Sequence, residues 1–294
     1  MEAWCRGLIE AVQSKGGKRM LRSLYSGIGG MRGFQTKLDV IGNDIANVNT
    51  PGYKKSRVVF QDILSQTMQG GSAPNNPTIG GTNPKQVGLG STVSAIDTIQ
   101  TQGFLQTTNV PSDLAIQGNG FFMVKDGAGN NFLTRAGNFS FDSSGNLVTS
   151  NGMYVLDSSG AVINIGTMSN IKSYSIGQDG KITYTNNTGT TTTTPNGIGL
   201  AVVANPAGLE KVGNSLYKIT PSSDNGYAAP LGLLGAANTG VRGQILAGEL
   251  EMSNTDLSEE FTEMIVAQRG FQANSRIITV SDSILQELVD LKRS

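Results

Sequence analysis

The sequence contains no histidine and only one cysteine, Cys5. A Ser-His-Asp triad, a Cys-His dyad and the common His and Cys zinc sites are therefore excluded for want of ligands. A disulfide within one chain is excluded too, because it needs a second thiol. We predict that the protein has no cofactor, no metal site and no catalytic residue, and that it is not an enzyme.

The chain also lacks an excess of charge of either sign, with 22 basic and 22 acidic side chains among 294 residues. A chain without net positive charge is a poor partner for nucleic acid or an anionic membrane. Its apolar runs fall short of the ~20 residues that a bilayer-spanning helix requires, and the first residues do not build a signal-peptide core. We therefore predict no nucleic-acid partner and no membrane insertion.

Both ends of the sequence carry apolar residues in alternating steps of four and three, the spacing of a coiled-coil helix. The N-terminal seam consists of Leu24, Ile28, Met31, Leu38 and Ile45, with Gln35 and Gly42 completing the register. The C-terminal seam consists of Leu257, Phe261, Met264, Phe271, Ile278, Leu285 and Val289, with Gln268, Ser275 and Asp282 between them. We predict one helix from each segment, the second starting at Asp256 and Glu259, which have capping-box spacing.

Between the two helical segments the apolar period changes to two, which indicates short strands. The predicted strands are 114–116, 121–124, 139–141, 147–148, 154–156, 162–165, 174–176 and 182–184. Asp-Ser-Ser-Gly occurs at 142–145 and again at 157–160, and both sequences are typical of turns. The predicted fold class is α+β, with paired N- and C-terminal coiled-coil helices and a central antiparallel β domain.

The predicted domain organisation follows from these periods. A paired helical core domain consists of 20–52 and 255–294, a linker or extended region of 53–95 and 240–254, and a β-rich domain of 96–239. The polar segments 70–84 and 186–196, the second with five consecutive threonines, are predicted to be exposed loops or linkers.

Residues 1–19 lack the heptad spacing that begins after Met20. Lys15-Gly16-Gly17 is compatible with a purine-rich ribosome-binding site just upstream of the Met20 codon. We hypothesise that residues 1–19 are a mis-assigned start extension, with a short leader helix as the alternative. Mass spectrometry of the native N-terminus tests this, and a peptide containing Trp4 would contradict it.

The two seams predict that copies of the chain assemble. The sequence has no third helical segment to cover either seam, and a two-helix hairpin leaves much of both seams exposed to water. We therefore predict that the apolar seam residues of both segments form an assembly interface with other copies of the chain. The alternative is an ordinary intramolecular bundle.

Several stretches resemble one protein family. Leu38–Lys54, which reads LDVIGNDIANVNTPGYK, is similar to the N-terminal signature of bacterial flagellar rod, hook and hook-associated proteins. Residues 113–122 and 134–139 resemble the segments that open the β domain of that family, and 253–257 and 263–272 resemble its C-terminal helix. The family turn corresponds here to Asn47, Asn49, Pro51 and Gly52, residues suited to stop a helix and bend the chain.

The resemblance implies a structural subunit that polymerises into a helical tube, with the terminal helices inside and the β domain outside. It implies type III export to the flagellar basal body or hook, outside the cell. The implied partners are other copies of the chain, adjoining rod and hook-filament junction proteins, the hook cap and the export apparatus.

Within the family, Val87–Gly90 and Met264–Arg269 are more similar to the hook protein, and short hook proteins occur in Gram-positive bacteria. The predicted function is therefore that of a flagellar hook subunit, which transmits torque from rod to filament. The distal rod protein of the basal body is the alternative, because this short chain with a single β domain also resembles it.

Two other classes of protein compete with this interpretation. An adhesin-like β module would need a cleavable signal or an anchor, which the sequence does not show. An enzyme with carboxylate chemistry would need converging titratable groups, whereas the charged residues here are dispersed among predicted turns. Neither class explains heptads at both ends.

Overall fold

The computed structural model of the chain describes residues 2–73, 80–224 and 230–293. Helix α1 spans Glu2–Ala46 and helix α2 spans Leu257–Arg293. The strands are β1 (Ser56–Asp62), β2 (Gln66–Gln69), β3 (Lys85–Val87), β4 (Ser91–Thr98), β5 (Leu105–Thr107), β6 (Leu114–Gln117), β7 (Phe121–Lys125), β8 (Asn131–Thr134), β9 (Phe139–Phe141), β10 (Leu147–Thr149), β11 (Tyr154–Val155), β12 (Ile171–Ile176), β13 (Ile182–Asn186), β14 (Thr191–Thr193), β15 (Gly199–Ala201), β16 (Glu210–Gly213), β17 (Leu216–Lys218), β18 (Leu234–Ala236), β19 (Gln244–Ala247) and β20 (Glu249–Glu251).

Helices at both ends of the chain flank antiparallel strands, so the predicted α+β class is confirmed. The chain divides into two compact units: unit 1 consists of 1–43, 56–97 and 257–294, and unit 2 of 44–55 and 98–256. Neither helix is apolar and long enough to cross a membrane, as far as the described residues go.

In unit 1 the two helices pack antiparallel. Lys37 Nζ of α1 lies 3.0 Å from Glu263 Oε2 of α2. A Cβ placed at Gly30 would lie 2.7 Å from Asn274 Nδ2, and one at Gly27 would lie 3.5 Å from the Ile278 side chain. A side chain at Gly30 would displace the Asn274 amide, whereas one at Gly27 would make ordinary van der Waals contact, so α1 and α2 pack closely at both positions.

The buried stripe of α2 differs in part from the predicted seam. Its half-buried apolar positions are the predicted Met264, Phe271, Ile278 and Leu285. Glu260, Ala267 and Ser281 are buried, each one residue before the predicted positions Phe261, Gln268 and Asp282, which are exposed. The predicted Ser275 is half-buried, as is its neighbour Asn274. In α1 likewise Ile41 is buried, whereas the expected Gly42 is exposed. Small and polar residues therefore contribute to the buried stripe, and an apolar pattern does not detect them.

Glycine at position 270 allows the aromatic ring of Phe34 to lie against α2, since a Cβ there would lie 2.6 Å from one ring atom and 2.7 Å from another. We expect Gly270→Ala to lower the free energy of unfolding of unit 1 by about 1–3 kcal/mol through overpacking. Gly42→Ala is the matched control, because a Cβ at Gly42 meets nothing within 4 Å. It should instead raise stability by about 0.5–1 kcal/mol, the gain expected for alanine over glycine in a helix. Urea unfolding followed by far-UV circular dichroism measures both, and an equal effect of the two changes would contradict the packing argument.

Unit 2 is built on a nine-stranded antiparallel sheet in the order β16-β17-β8-β7-β11-β10-β9, which β15 and β18 join through β7. Strand β7 reads FFMVK, and its first four residues are all buried. Phe122 and Val124 pack into one apolar cluster with Leu147, Leu200 and Ile245. Phe121 and Met123 pack on the other side of the strand into a second cluster. The continuous apolar run in β7 therefore reflects burial on both faces.

The threonine-rich segment 186–196 is not the loop that its composition predicts. Thr191–Thr193 forms β14, which pairs with β13 at the edge of the three-stranded sheet β12-β13-β14. The side chains of Thr183 and Thr193 lie opposite each other, with hydroxyl oxygens 3.1 Å apart. The prediction of exposure is confirmed, since all three residues of β14 are exposed. A β-branched side chain favours extended backbone even in a polar strand, which is why the loop assignment was wrong.

The predicted turns are confirmed, whereas one predicted strand is not. Gly145 N donates to Asp142 O over 2.8 Å and Gly160 N to Asp157 O over 3.1 Å, and both glycines have positive φ. The predicted strand 162–165 is represented only by isolated bridges at Val162 and Asn164. Of the predicted loop 70–84, residues 74–79 lie outside the described residues.

Candidate functional site

The chain makes a sharp bend directly after α1. Thr50 N donates to Asn47 O over 3.1 Å, and Thr50 Oγ1 donates to Asn47 Oδ1 over 3.2 Å. Asn49 is exposed and Pro51 is half-buried. Gly52 ends the bend and donates its N–H to Glu251 O over 2.7 Å. The predicted turn residues thus lie where the chain leaves the helix.

Gly52 cannot be replaced without strain. Its φ is +68°, in the left-handed region that glycine occupies most readily. A Cβ on Gly52 would overlap the nitrogen of Ala136 and lie 2.6 Å from the Arg135 carbonyl carbon. The bend therefore packs directly on the backbone that follows β8.

Three charged side chains form a buried ion cluster beside this bend: Lys54, Arg135 and Glu251. Lys54 Nζ lies 2.5 Å from Glu251 Oε1, and Arg135 Nη1 lies 3.1 Å from Glu251 Oε2. The side chains of Lys54 and Glu251 are 0% exposed and that of Arg135 is 6% exposed. One carboxylate therefore bridges two buried cations.

Backbone groups complete the coordination of the ion cluster. Lys54 Nζ also donates to Thr101 O over 2.7 Å, and Gly103 N donates to Glu251 Oε1 over 3.0 Å. Arg135 Nη2 donates to Gly118 O over 2.9 Å. Buried charges are tolerated only when they are paired and hydrogen-bonded, and both conditions hold for these contacts.

Burial lowers the pKa of Lys54 and of Arg135, and the Glu251 carboxylate raises both in partial compensation. Burial also raises the pKa of Tyr217 above its ordinary value. The Arg135 guanidinium carbon lies 5.2 Å from the centroid of the Phe121 ring, so an aromatic face supplies further cation stabilisation. Desolvation is thus the dominant cost of the cluster, and Glu251 is the group that offsets it.

A second layer of polar contacts holds the ends of the bend. Tyr53 Oη donates to Asp44 Oδ1 over 2.7 Å, and Asp44 is fully buried. Lys211 Nζ donates to Lys54 O over 2.8 Å and lies 4.8 Å from the centroid of the Tyr53 ring. The Tyr53 side chain is therefore held by a hydrogen bond to Asp44 and by a cation–π contact with Lys211.

Asn254 joins three chain segments that lie at the boundaries of unit 2. Its Oδ1 accepts from Lys55 N over 2.8 Å, and its Nδ2 donates to Ile99 O over 2.9 Å and to Thr101 Oγ1 over 3.0 Å. One amide side chain thereby links the residues after α1, the residues before β5 and the residues before α2.

Sequence reasoning anticipated part of this site. Lys54, Arg135 and Asn254 lie within the stretches that carried the family resemblance, although no role was predicted for them. Glu251 lies two residues before Ser253 and was missed. Its neighbourhood, Gly248-Glu-Leu-Glu-Met252, alternates charged and apolar residues like any half-exposed strand, and nothing in it marks one carboxylate as buried.

The predicted assembly residues have mixed burial. Leu24, Ile28, Met31, Leu38, Ile45, Met264, Phe271, Ile278 and Leu285 are half-buried, whereas Leu257, Phe261 and Val289 are 40%, 50% and 57% exposed. No partner chain is present, so their role as an interface stays a prediction. Within the described part of the chain, no three His, Cys, Asp or Glu residues are grouped so that they could hold a metal ion.

Three family models match the chain. They are the flagella basal body rod protein model at residues 24–54, the flagellar hook protein FlgE/F/G D1 domain model at 115–184, and the flagellar basal body rod FlgEFG protein C-terminal model at 246–291. Lys54, Arg135 and Glu251 lie one in each matched segment. The ion cluster thus connects all three segments.

Individual relatives agree with the family models, two of them across their whole length. The chain is 54% identical over 274 residues to the flagellar basal-body rod protein FlgG of Bacillus subtilis (strain 168), covering 93% of this chain and 100% of the relative. It is 30% identical over 449 residues to the flagellar hook protein FlgE of Borreliella burgdorferi, covering 93% and 100%. It is also 54% identical over 129 residues to the hook protein FlgE of Treponema pallidum, covering 44% and 27%.

Proposed function

The chain belongs to the flagellar rod and hook protein family, and from this premise we propose that it is a rod subunit of the flagellar basal body. Members of this family are structural proteins of the flagellum that polymerise and associate with other flagellar components. The 54% identity to a rod protein over that protein's whole length carries the choice of the rod. The ion cluster supports the structural role, because it connects one residue from each of the three segments that match the family.

The comparisons support the rod better than the hook, which was the main sequence-based prediction. The rod protein FlgG of Bacillus subtilis is 54% identical across its entire length. The hook protein that is matched across its entire length is 30% identical, and the hook protein with 54% identity is matched over 27% of its length. The alternative named from the sequence is therefore the better supported of the two.

The mechanical role suits the chemistry of the site. A subunit that transmits torque passes load through the covalent connections between the two units, which lie at 43/44, 55/56, 97/98 and 256/257. Lys54 and Asn254 lie within two residues of two of these connections, and their contacts with Glu251, Ile99 and Thr101 share the load among the segments. Such a protein needs no catalytic group, and we propose that this chain is not an enzyme.

Assembly proceeds through the helical segments. Apolar side chains remain exposed along α2, including Phe261 at 50%, Val266 at 58% and Val280 at 57%. Apolar surface of this extent on a helix favours contact with further helices. We propose that other copies of the chain cover it, that adjoining rod and hook proteins contact the ends of the polymer, and that the flagellar export apparatus delivers the subunits.

The test is electron microscopy of the purified full chain at high concentration, combined with antibody labelling of isolated flagella. We expect straight tubes, and label on the straight shaft of the basal body. Curved tubes and label on the external joint would make the protein a hook subunit. A protein that stays monomeric would overturn the rod and the hook together.

A substitution on the exposed face of α2 sharpens this test. Phe261→Asp places a charge at a position that is half exposed in the monomer, so the melting temperature should hardly change. Assembly should be abolished, because the charge would be buried unpaired between helices. Sedimentation measures the loss, and normal tubes from this variant would remove Phe261 from the interface.

A further inference from the structure

Two stretches of unit 2, which we call its arms, lie side by side. The entering arm is 98–117 and the leaving arm is 244–256, and the nine-stranded sheet is built from the chain between them. Strand β5 pairs with β20 and β6 pairs with β19, both antiparallel, and between the two pairs Thr108 N donates to Gly248 O over 2.8 Å. The arms therefore form one ladder of paired strands that leads to the sheet.

The arms carry load into this ladder at one end. The register pairs Leu105 with Glu251, so the chain enters and leaves the ladder at the same end, which we call its mouth. The covalent connections to unit 1 at 97/98 and 256/257 lie a few residues beyond the mouth. Because the hydrogen bonds between antiparallel strands run perpendicular to the strands, pulling the arms apart at the mouth loads one pair of bonds at a time. An unsupported mouth would therefore open like a zipper towards the sheet.

A third chain segment crosses the mouth and contacts both arms. Lys55 N donates to Asn254 Oδ1 of the leaving arm over 2.8 Å, and Lys55 O accepts from Ile99 N of the entering arm over 2.9 Å. The Asn254 side chain also joins the arms directly, because its Nδ2 donates to Ile99 O over 2.9 Å and to Thr101 Oγ1 over 3.0 Å. Lys55 and Asn254 thus connect three segments at one point.

Lys54 and Glu251 make a second connection across the mouth. Lys54 Nζ donates to Thr101 O of the entering arm over 2.7 Å and to Glu251 Oε1 of the leaving arm over 2.5 Å. Gly103 N of the entering arm donates to the same Glu251 oxygen over 3.0 Å. Lys54 and Glu251 are fully buried, and a hydrogen bond in the low-dielectric interior is electrostatically stronger than one in water.

We propose that Lys54, Lys55, Glu251 and Asn254 form a mechanical clamp that keeps the mouth closed, an inference that rests on the proposed function because torque supplies the load. Lys54 and Lys55 are adjacent in the chain and each contacts both arms, so separating the arms requires their contacts to break together. Load at the two connections to unit 1 then has to break several bonds at once instead of one pair after another. The clamp thereby prevents the force carried by the arms from unzipping the sheet.

Single-molecule pulling of the full-length monomer by its two arms tests the clamp. Cys5→Ser leaves Ala95→Cys and Ser258→Cys as the thiols for the handles, at exposed positions just outside unit 2. Chain length is released between these handles when residues 98–256 open, at about 3.5 Å per residue. We expect Asn254→Ala to unfold at least about tenfold faster than its parent at the same force, as a barrier lowered by about 1.4 kcal/mol would give.

Asn164→Ala is the matched control. Asn164 Nδ2 donates to Ser144 O over 3.0 Å and to Asn146 Oδ1 over 2.7 Å, so a comparable set of amide hydrogen bonds is lost outside the arms. This variant should unfold at the rate of its parent when the arms are pulled, and an acceleration equal to that of Asn254→Ala would overturn the clamp.

Thr101→Val is a milder variant that keeps the test valid if Asn254→Ala does not fold. It removes one contact of the clamp region, the hydrogen bond from Asn254 Nδ2 to Thr101 Oγ1, at an exposed residue. It should accelerate unfolding in the same direction as Asn254→Ala but by a smaller factor. Unfolding at the parent's rate in every variant that folds would overturn the clamp.

A second pulling direction separates a clamp from general destabilisation. Handles at Ser144→Cys and Ser222→Cys, both exposed, load the nine-stranded sheet without pulling on the arms. Asn254→Ala should then unfold at the rate of its parent, and equal acceleration in both directions would overturn the clamp. The measurement does not depend on polymerisation. A wild-type chain that forms tubes but shows no clamp would overturn the clamp alone, and one that shows the clamp but never forms tubes would overturn the proposed function.

Discussion

Replacing Glu251 by glutamine lowers the free energy of unfolding of unit 2 by about 3–5 kcal/mol, because two buried cations lose the carboxylate that bridges them. The distances of 2.5 Å and 3.1 Å to Lys54 and Arg135 leave no room for solvent to compensate. Urea unfolding followed by the fluorescence of the tyrosines measures the change. Assembly of the variant should fail at temperatures at which the wild type forms tubes.

The loss of stability in Glu251→Gln should become smaller as the pH rises. Burial already lowers the pKa of Lys54 below 10.5, and removing the Glu251 charge lowers it further. Between the folded and unfolded pKa values the unfolded state then binds more protons than the native state, so stability rises with pH. The deficit of Glu251→Gln should therefore narrow as the pH approaches 10.5, and a deficit that widens would contradict the assignment.

Glu249→Gln is the control for this substitution. Glu249 lies on the same strand β20, two residues away, and is half-buried. The same change of charge there should alter stability by no more than about 0.5 kcal/mol. Equal losses from the two variants would show that net charge, and not the ion cluster, determines the effect.

Replacing Gly52 by alanine should destabilise unit 2 by about 4 kcal/mol or more, a size reserved for steric or buried-charge defects. The added methyl group would lie against the backbone of Arg135 and Ala136, and backbone cannot rotate away as a flexible side chain can. Relief of the clash requires moving the bend, which would also displace Lys54 from Glu251. Thermal unfolding measures the loss, and tube formation should fail in parallel.

Gly152→Ala is the control that separates the cost of a positive φ from the cost of steric overlap with the neighbouring backbone. Gly152 has φ +77°, close to the +68° of Gly52, but a Cβ there meets nothing within 4 Å. It should cost only the ~1–2 kcal/mol of placing a non-glycine residue in the left-handed region. If the two alanine variants lose the same stability, then packing on Ala136 contributes nothing and the bend needs glycine only for its φ.

The two terminal helices show which buried positions an apolar pattern predicts and which it misses. The heptads predicted both helices, and Met264, Phe271, Ile278 and Leu285 lie in the buried stripe as expected. Three other seam positions of α2, Phe261, Gln268 and Asp282, were displaced by one residue, because small and polar side chains such as Ala267 and Ser281 fill the buried stripe. Close packing of backbones depends on shape as well as on hydrophobicity, and a hydrophobic pattern reports only the second.

The candidate site, too, was predictable from the sequence only in part. The bend at 47–52 was predictable because a helix stop and a positive φ are properties of a few neighbouring residues. The pairing of Lys54 with Glu251 was not, because 197 residues separate the two in the chain. A buried lysine and a solvated lysine have the same appearance in a sequence.

The sequence by itself determined the α+β class, the helical ends, seven of the twenty strands in the described residues, the turns and the family, since these follow from local periods and from short stretches of identical residues. Only the tertiary structure decided that one residue from each of three distant segments joins the ion cluster. The physical reason is that charge pairing and desolvation depend on which groups the fold brings within ~3 Å of each other. That proximity is a property of the folded chain alone.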